Sequence, residues 1–364
     1  MKDLLARLFH LGRPRRFSAW QIELTTRCPL SCRMCIRQGR EWHDADMAAD
    51  DFAKLAPYLR DVETVILQGW GEPLLHRRLF DIIRLAKSAG RDAPAVGFVT
   101  SGKGMDRRYA AELVDAGIDF LGFSFAGTTA ETHCAVRVNS DFRELVSAVE
   151  HVEAIKRERG VERPRTHVAY LMVKENVHEL PALPDLAHRM GVAEIVLTNL
   201  VDVSDAWQDA QRVFRCDGGV EHADVLERTE RRARELGLAC RIAALAPRIT
   251  PVCEEDPLRN LFVTVDGAVA PCVYLCPPVS PEFSRRFCGR EFRARRTSFG
   301  NLFREPLDAI WEKPEYVAFR ERFGERVRQH RLLTVMRSAG GAAPAKALPE
   351  PPEPCRICHK MLGV

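Results

Sequence analysis

The chain has 364 residues, of which 46% are hydrophobic and 29% charged, a composition typical of a globular protein rather than a disordered or fibrous one. Its formal net charge of +4 is small for this length and gives no indication of a nucleic-acid-binding surface. No run approaches the roughly 18 apolar residues of a membrane span, and charges break residues 1–17 too often for a secretory signal core. We therefore predict a cytoplasmic protein with neither a membrane nor a nucleic-acid partner, in which residues 1–17 form a lead-in helix.

The length exceeds the usual size of one domain, so we expect a large domain and a smaller one. Up to about residue 245, short β-rich runs alternate with helical patterns, several of them ended by a glycine. The predicted strands are 19–24, 64–67, 95–99, 120–124, 166–173 and 194–198. The predicted helices are 51–59, 78–89, 107–116, 143–159, 178–190 and 221–236. Six successive strand–helix units favour parallel strands with right-handed crossovers, so residues 18–250 are predicted to form an α/β fold, a partial (β/α)6 TIM-like barrel.

The pattern changes after residue 250. Two β-rich runs, 260–265 and 268–274, flank an Asp-Gly dipeptide that suits a tight hairpin turn. A helix is predicted over 306–323, and residues 338–354 form a low-complexity linker rich in alanine, proline and glycine. Residues 251–364 are therefore predicted to be a small second domain built from a β-hairpin and a helix.

Twelve cysteines in a chain expected in the reducing cytoplasm favour metal binding or catalysis over a disulfide framework. The stretch TRCPLSCRMCIR places Cys28, Cys32 and Cys35 at the spacing C-x3-C-x2-C. An iron-sulfur cube takes four ligands, so three thiolates would leave one iron open to something else. The alternative is a zinc knuckle with His43 as the fourth ligand. Three scattered cysteines are predicted to be small buried hydrophobic residues: Cys134, Cys216 and Cys240.

A second group of cysteines lies near the other end of the chain. Cys253, Gly267 and Cys272 give the pattern C-x13-G-x4-C across the predicted hairpin, and Cys355 and Cys358 follow after a long gap. Four thiols in two pairs would suit a cubane or a zinc tetrahedron equally well. Two further cysteines of this region could replace a ligand: Cys276 and Cys288.

The first cysteine triplet, with Met34 before its last member, resembles the signature of the radical S-adenosylmethionine (SAM) enzymes. The QGWGEP stretch directly after the second predicted strand resembles that family's GGEP motif, with Trp70 in place of the second glycine. The resemblance implies that the three cysteines hold a 4Fe-4S cluster whose open iron binds SAM. One-electron cleavage then gives a 5′-deoxyadenosyl radical that abstracts hydrogen from the substrate. It also places the site at the carboxyl ends of the strands.

The same resemblance implies further SAM-binding positions on successive strand ends. Thr100-Ser101-Gly102 resembles the family's Thr-Asn-Gly, and Ser124-Phe-Ala-Gly resembles its Ser-x-Asp-Gly, with Ala126 in place of the aspartate. Arg137 lies where relatives place an arginine that faces the SAM carboxylate. Asn176 and Asn199 follow the fifth and sixth strands, where they could contact ribose or substrate or cap the next helix. The implied cofactor-binding residues are Met34, Gly69, Gly71, Glu72, Ser101, Ser124, Arg137 and Asn199. No residue stands out as a catalytic base.

The C-terminal cysteines resemble the twitch or SPASM extension of radical SAM enzymes, which implies one auxiliary 4Fe-4S cluster held by all four thiolates. Blocks such as residues 23–28 and 71–76 resemble maturases associated with tungsten-containing aldehyde oxidoreductases. We therefore expect a maturase that acts on a peptide, protein or cofactor precursor and receives electrons from a reduced flavodoxin or ferredoxin. The alternatives are a twitch-type small-molecule dehydrogenase and a non-catalytic zinc or iron-sulfur scaffold. Two arginine-rich stretches, 284–296 and 320–337, are interpreted as a solvated helix face and loop, or else as a docking surface for an acidic partner.

Overall fold

A computed structural model describes residues 15–338 and 348–364 of the chain. The predicted lead-in helix therefore lies outside the described residues except for its last three, and so does most of the predicted linker. Within the described ranges, no helix is both long and apolar enough to span a bilayer.

The core is a ten-stranded sheet. Its first seven strands are parallel neighbours in chain order: β1 (Phe17–Ile22), β2 (Val62–Ile66), β3 (Ala95–Thr100), β4 (Phe120–Phe125), β5 (Arg165–Met172), β6 (Glu194–Asn199) and β7 (Ala239–Ile242). The sheet stays open, with β7 at one edge. This confirms the expected α/β fold and partial barrel, to which β7 adds a seventh parallel strand that the sequence analysis missed.

Helices follow most of the parallel strands and pack their apolar residues on the sheet. Those of the core are α1 (Ala49–Leu55), α2 (Leu79–Ala86), α3 (Arg107–Asp115), α4 (Ala130–Val136), α5 (Phe142–Arg159), α6 (Leu183–Arg189), α7 (Ala206–Ala210) and α8 (Ala223–Glu235). Local sequence sets their ends. Asp106 and Asp141 accept backbone N–H bonds at the first turns of α3 and α5, and Gly160 ends α5 in the left-handed conformation.

The C-terminal part joins the same sheet. β8 (Asn260–Val263) lies parallel to β1 on the side away from β2, and β9 (Ala268–Ala270) pairs antiparallel with β8. Gly267 supplies the positive φ of +85° in the turn between them, which confirms the predicted Asp-Gly hairpin. The remaining elements are β10 (Glu282–Phe287), β11 (Arg290–Arg295), β12 (Gly300–Asn301), α9 (Leu307–Trp311) and α10 (Pro314–Ser338).

Two predictions in this part were wrong. The arginine-rich stretch 284–296 is not a helix face and loop, because β10 and β11 form a separate antiparallel hairpin there. Its turn is made by Cys288 and Gly289, both with positive φ, rather than by a typical Asn-Gly or Asp-Gly pair. The single helix expected over 306–323 is instead the short α9 followed by the long α10.

Candidate functional site

The first cysteine triplet lies on the loop that follows β1, in a small apolar cluster separate from the main core. The cluster contains Leu30, Cys32, Met34, Ala126, Val136, Val173, Leu200 and Val203, with Cys28 and Cys35 packed against it. The loop's own carbonyls hold its shape. The Cys28 carbonyl accepts from Arg37 at 3.1 Å, that of Cys32 from Gln38 at 3.1 Å, and that of Cys35 from Gln208 at 3.2 Å. Met34 packs in the same apolar cluster as the three cysteines.

Burial makes free thiolates unfavourable in this pocket. It raises the pKa of Cys28 to about 11 and that of Cys35 to about 12. Buried thiols of this kind become anionic ligands when a bound cation compensates their charge. The donor set therefore fits a metal centre better than it fits three free thiolates.

A zinc knuckle at the first cysteine triplet would use His43 as its fourth ligand, but His43 is exposed. Among the described residues, the one group of three or more ligand atoms within 4.8 Å of one another belongs to neither predicted cysteine group: Cys216, Cys288 and His359. Two of its members, Cys216 and Cys288, are disulfide-bonded to each other.

The QGWGEP stretch runs directly beside the start of the cysteine loop. Glu72 N donates to the Arg27 carbonyl at 2.8 Å. A Cβ on Gly71 would lie 2.3 Å from the Thr25 carbonyl oxygen, and a Cβ on Gly69 would meet the Glu23 carboxylate at 2.2 Å. Only glycine allows this close approach. Within the described chain, no donor reaches the carbonyls of residues 69–71, so they remain free to accept bonds from an ammonium group.

Glu72 and Ser101 bind each other. The buried Glu72 carboxylate accepts from Thr100 Oγ1 at 2.7 Å, Ser101 N at 2.8 Å, Ser101 Oγ at 2.7 Å and Leu74 N at 3.3 Å. These bonds tie the loop after β2 to the end of β3. Glu72 therefore acts as a positioning residue for the 69–71 backbone.

Arg137 lies at the end of α4, bracketed by the cysteine loop. Ser31 N donates to the carbonyl of Val138 and Arg33 N to that of Val136, each at 3.0 Å. The Nε atom of Arg137 is buried and finds no hydrogen-bond partner among the described residues. An unpaired guanidinium at this place fits a bound carboxylate.

The other predicted strand-end residues differ in how fully they are engaged. Ser124 lies near the end of β4 and is half-buried. The Asn199 amide donates to Ala244 O at 2.8 Å, while its buried Oδ1 atom has no partner among the described residues. Asn176 is fully used, since it binds Ala126 O, Leu171 O and Val173 N. It ties strand-end loops together and caps no helix through its side chain.

The four predicted auxiliary ligands come together in the C-terminal part. Burial raises the pKa of Cys272 well above its usual value, and the nearby Glu255 carboxylate and the thiols of Cys253, Cys355 and Cys358 raise it further. Cys253 precedes β8 and Cys272 follows β9, so the hairpin brings the first pair together. The C-terminal turns that carry the CxxC pair supply the other two.

The remaining cysteines do not join this group. Cys276 is buried, and its sulfur accepts from Arg296 at 3.4 Å. Cys288 is disulfide-bonded to Cys216, which links the β10–β11 turn to the loop after α7. The prediction that Cys134, Cys216 and Cys240 are small buried hydrophobic residues was wrong for Cys216, which is paired. Cys134 and Cys240 are free and half-buried, and Cys240 packs against the main core.

One residue of the site escaped the sequence analysis. Glu23, just past β1, is fully buried; its Oε1 accepts from Trp70 N at 2.8 Å, and its Oε2 has no partner in the described part of the chain. Burial raises the pKa of Glu23 to about 8. The sequence signal that could have identified Glu23 is a carboxylate at the end of an apolar strand, two residues before a predicted loop.

Comparisons with known proteins agree with this geometry. The Radical SAM superfamily model matches residues 22–187, and a SPASM model described as an iron-sulfur cluster-binding domain matches residues 253–359. A tungsten-containing aldehyde ferredoxin oxidoreductase cofactor-modifying protein of Pyrococcus furiosus is 28% identical over 309 residues, covering 82% of each chain. A PqqA peptide cyclase of Bradyrhizobium diazoefficiens is 26% identical, over 49% of this chain and 45% of its own. The crystal structure of Streptococcus suis SuiB bound to S-adenosylmethionine has the same fold, with a TM-score of 0.60 at 12% identity over 88% of this chain and 71% of SuiB.

Proposed function

The chain belongs to the radical SAM superfamily and carries a SPASM domain, and we propose that it is a maturase of a peptide, protein or cofactor precursor. Its cofactors are a 4Fe-4S cluster, SAM and auxiliary iron-sulfur clusters. When bound, the first cluster supplies the electron that cleaves SAM to methionine and a 5′-deoxyadenosyl radical for hydrogen abstraction. Cys28, Cys32 and Cys35 would hold that cluster.

The observation that carries the proposal is the pair of unpaired polar groups on either side of the cysteine loop. On one side, the free carbonyls of residues 69–71 can accept from the SAM ammonium group. On the other, Arg137 offers an unpaired Nε to the SAM carboxylate. Ammonium and carboxylate are the two groups by which SAM would chelate the open iron, so the chain presents one complement to each.

The maturase assignment is supported by the relatives. The Pyrococcus furiosus protein, aligned over most of both chains, is named for modifying a cofactor, and the shorter match is named for cyclising a peptide. The four gathered C-terminal thiols suit one fully ligated auxiliary cluster that transfers an electron rather than binding substrate. A reduced flavodoxin or ferredoxin is the proposed electron donor.

The experiment is dithionite-dependent formation of 5′-deoxyadenosine by anaerobically reconstituted protein. We expect Arg137→Gln to raise the KM for SAM at least about tenfold, because a charge-assisted hydrogen bond contributes roughly 1.5–3 kcal/mol. Arg143→Gln, on the exposed first turn of α5, is the matched control and should leave KM unchanged. An unchanged KM in Arg137→Gln would show that Arg137 does not bind the SAM carboxylate. Absence of 5′-deoxyadenosine from the wild type would favour the scaffold alternative.

The substrate class can be tested with a candidate precursor that is encoded, or whose synthesis is encoded, by a neighbouring gene. A deuterated precursor should transfer deuterium to 5′-deoxyadenosine if the radical abstracts hydrogen from it. Deuterium transfer from a small alcohol, and none from a peptide, protein or cofactor precursor, would replace the maturase assignment with the dehydrogenase alternative.

A further inference from the structure

Three charged side chains from distant parts of the chain meet between the two cysteine groups. Arg40 lies on the loop five residues after Cys35, and Asp202 lies just past the end of β6. Arg285 comes from β10, and its Nη2 atom donates to Tyr274 O at 2.5 Å, two residues after Cys272. The Nε atom of Arg285 is 3.3 Å from Asp202 Oδ1. The trio therefore occupies the space between the first cysteine loop and the auxiliary thiols.

Two of these side chains are buried, and all three keep polar atoms without a hydrogen bond to the part of the chain that the structure describes. Arg285 is 2% exposed and Asp202 is 7% exposed. Neither carboxylate oxygen of Asp202 has a hydrogen bond of good geometry to any described residue, and neither does Nε of Arg285. Arg40 binds Ser284 O through Nη2, but its Nη1 is buried and likewise unpaired in the described chain. Asp202 and Arg285 compensate each other's charge as an ion pair, but buried polar atoms without hydrogen bonds are costly, so this concentration points to a ligand.

One aromatic ring holds the two guanidinium groups. The Phe283 ring centroid lies 5.2 Å from Cζ of Arg40 and 5.5 Å from Cζ of Arg285. A cavity of about 380 Å³ opens beside Arg40, between the cysteine loop and β10, and a second of about 370 Å³ opens beside Arg285. Phe283 and Glu282 line both cavities. Arg40 lines the first cavity and Arg285 the second, so a small polar group in either cavity would lie beside one of the two guanidinium groups.

The charges indicate what that group is. The trio carries two guanidinium groups and one carboxylate. Beside Arg40 the cavity is also lined by carboxylates, those of Glu41, Asp205 and Glu282. Beside Arg285 the lining has a surplus of positive charge, because three guanidinium groups (Arg285, Arg293 and Arg295) face two carboxylates (Glu282 and Glu353) and leave one positive charge without a counterpart. We propose that Arg40 and Arg285 bind an oxyanion of the substrate, a phosphate or a carboxylate, while Asp202 orients Arg285 and accepts from a neighbouring substrate hydroxyl or amine. This inference rests on the proposed function, since it treats the space between the cysteine groups as the substrate site.

The test measures anion binding to the reconstituted full chain by isothermal titration calorimetry. Inorganic phosphate and acetate are the probes, titrated at constant ionic strength set with sodium chloride. Wild-type protein should bind at least one of them above the chloride background. Binding of phosphate alone indicates a phosphoryl substrate, and binding of acetate, alone or with phosphate, indicates a carboxylate. Arg40→Gln and Arg285→Gln should each weaken binding about tenfold or more, as expected for a lost charge-assisted hydrogen bond.

Arg290→Gln is the matched control, because this arginine begins the neighbouring strand β11, is exposed and lines neither cavity. It should bind the probes as the wild type does. Arg40 is only half-buried, so Arg40→Gln is expected to fold, and its anion binding tests the proposal if Arg285→Gln does not fold. Binding of neither probe by the wild type, or unchanged binding in the folded variants, overturns the proposal. So does a shifted auxiliary-cluster reduction potential in Arg285→Gln with unchanged anion binding, because the guanidinium would then serve the cluster.

Formation of 5′-deoxyadenosine without substrate, measured on the same preparations, separates this inference from the proposed function. Both arginine variants should retain it, since neither residue belongs to the proposed SAM contacts. If the wild type cleaves SAM but binds neither anion, only the proposed substrate site is overturned. Absent cleavage in the wild type overturns the proposed function itself.

Discussion

Replacing Gly71 by alanine places a methyl group where two backbone segments already touch. The added Cβ would lie 2.3 Å from the Thr25 carbonyl oxygen and 2.7 Å from that of Arg27. Even close carbon–oxygen contacts are about 3.3 Å or longer, so the 69–71 loop and the cysteine loop must separate by roughly 1 Å. That shift would lengthen the 2.8 Å bond from Glu72 N to Arg27 O. It would also move the free carbonyls away from the cysteine triplet.

A displacement of about 1 Å at a reacting centre costs on the order of 100-fold in rate. We therefore expect Gly71→Ala to form 5′-deoxyadenosine about 100-fold more slowly than the wild type at equal cluster content. Gly324→Ala, in the middle of α10, is the control, since its Cβ would meet only the end of the flexible Arg328 side chain at 3.3 Å. A Gly71→Ala rate within about threefold of the control would refute the role of this close approach.

Three further variants test other parts of the site. Burial raises the pKa of Glu23 from 4.5 to about 8, so its contribution to stability is full below pH 4.5 and is lost as the pH rises to 8. Glu23→Gln should remove that loss. The free energy of unfolding of the variant, relative to that of the wild type, should therefore be up to about 4 kcal/mol larger at pH 8 than at pH 4. Thermal unfolding that shows the same difference between variant and wild type at both pH values would contradict this. Glu72→Gln places an amide donor against the N–H and O–H donors of Ser101 and should cost about 1.5–3 kcal/mol in urea unfolding, whereas an unchanged midpoint would mean that the carboxylate does not hold this loop. Reducing the Cys216–Cys288 bond, which spans 72 residues, should lower the free energy of unfolding by about 4 kcal/mol and expose two more thiols. No response to reductant in the wild type, with Cys216→Ser equally stable, would show that the bond does not form.

Local chemistry explains which parts of the fold the sequence could predict. The β8–β9 hairpin was predictable because its turn carries an Asp-Gly dipeptide between two apolar runs. The β10–β11 hairpin was not, because its turn is Cys-Gly and arginines fill its strands. Strand β7 is only four residues long and half-exposed, which leaves no apolar run to detect.

The candidate site divides in a similar way. Residues that lie on one loop, such as the first cysteine triplet, are visible as a spacing pattern. The grouping of Cys253 and Cys272 with the distant CxxC pair was expected from the distribution of the cysteines, and only the family resemblance favoured iron over zinc. The Asp202–Arg285 contact and the Cys216–Cys288 bond join remote segments with no local pattern, so only the folded chain reveals them.

We propose that the chain carries one open, SAM-binding cluster and one separate, closed cluster. The most direct test compares iron content and 5′-deoxyadenosine formation in the wild type and in a Cys28→Ala, Cys32→Ala, Cys35→Ala variant after anaerobic reconstitution. The wild type should hold about eight irons, four per 4Fe-4S cluster, and cleave SAM, whereas the variant should keep about four irons and form no 5′-deoxyadenosine. Zinc in place of iron, a variant that still cleaves SAM, or a variant that loses all its iron would rule out two separate clusters of this kind.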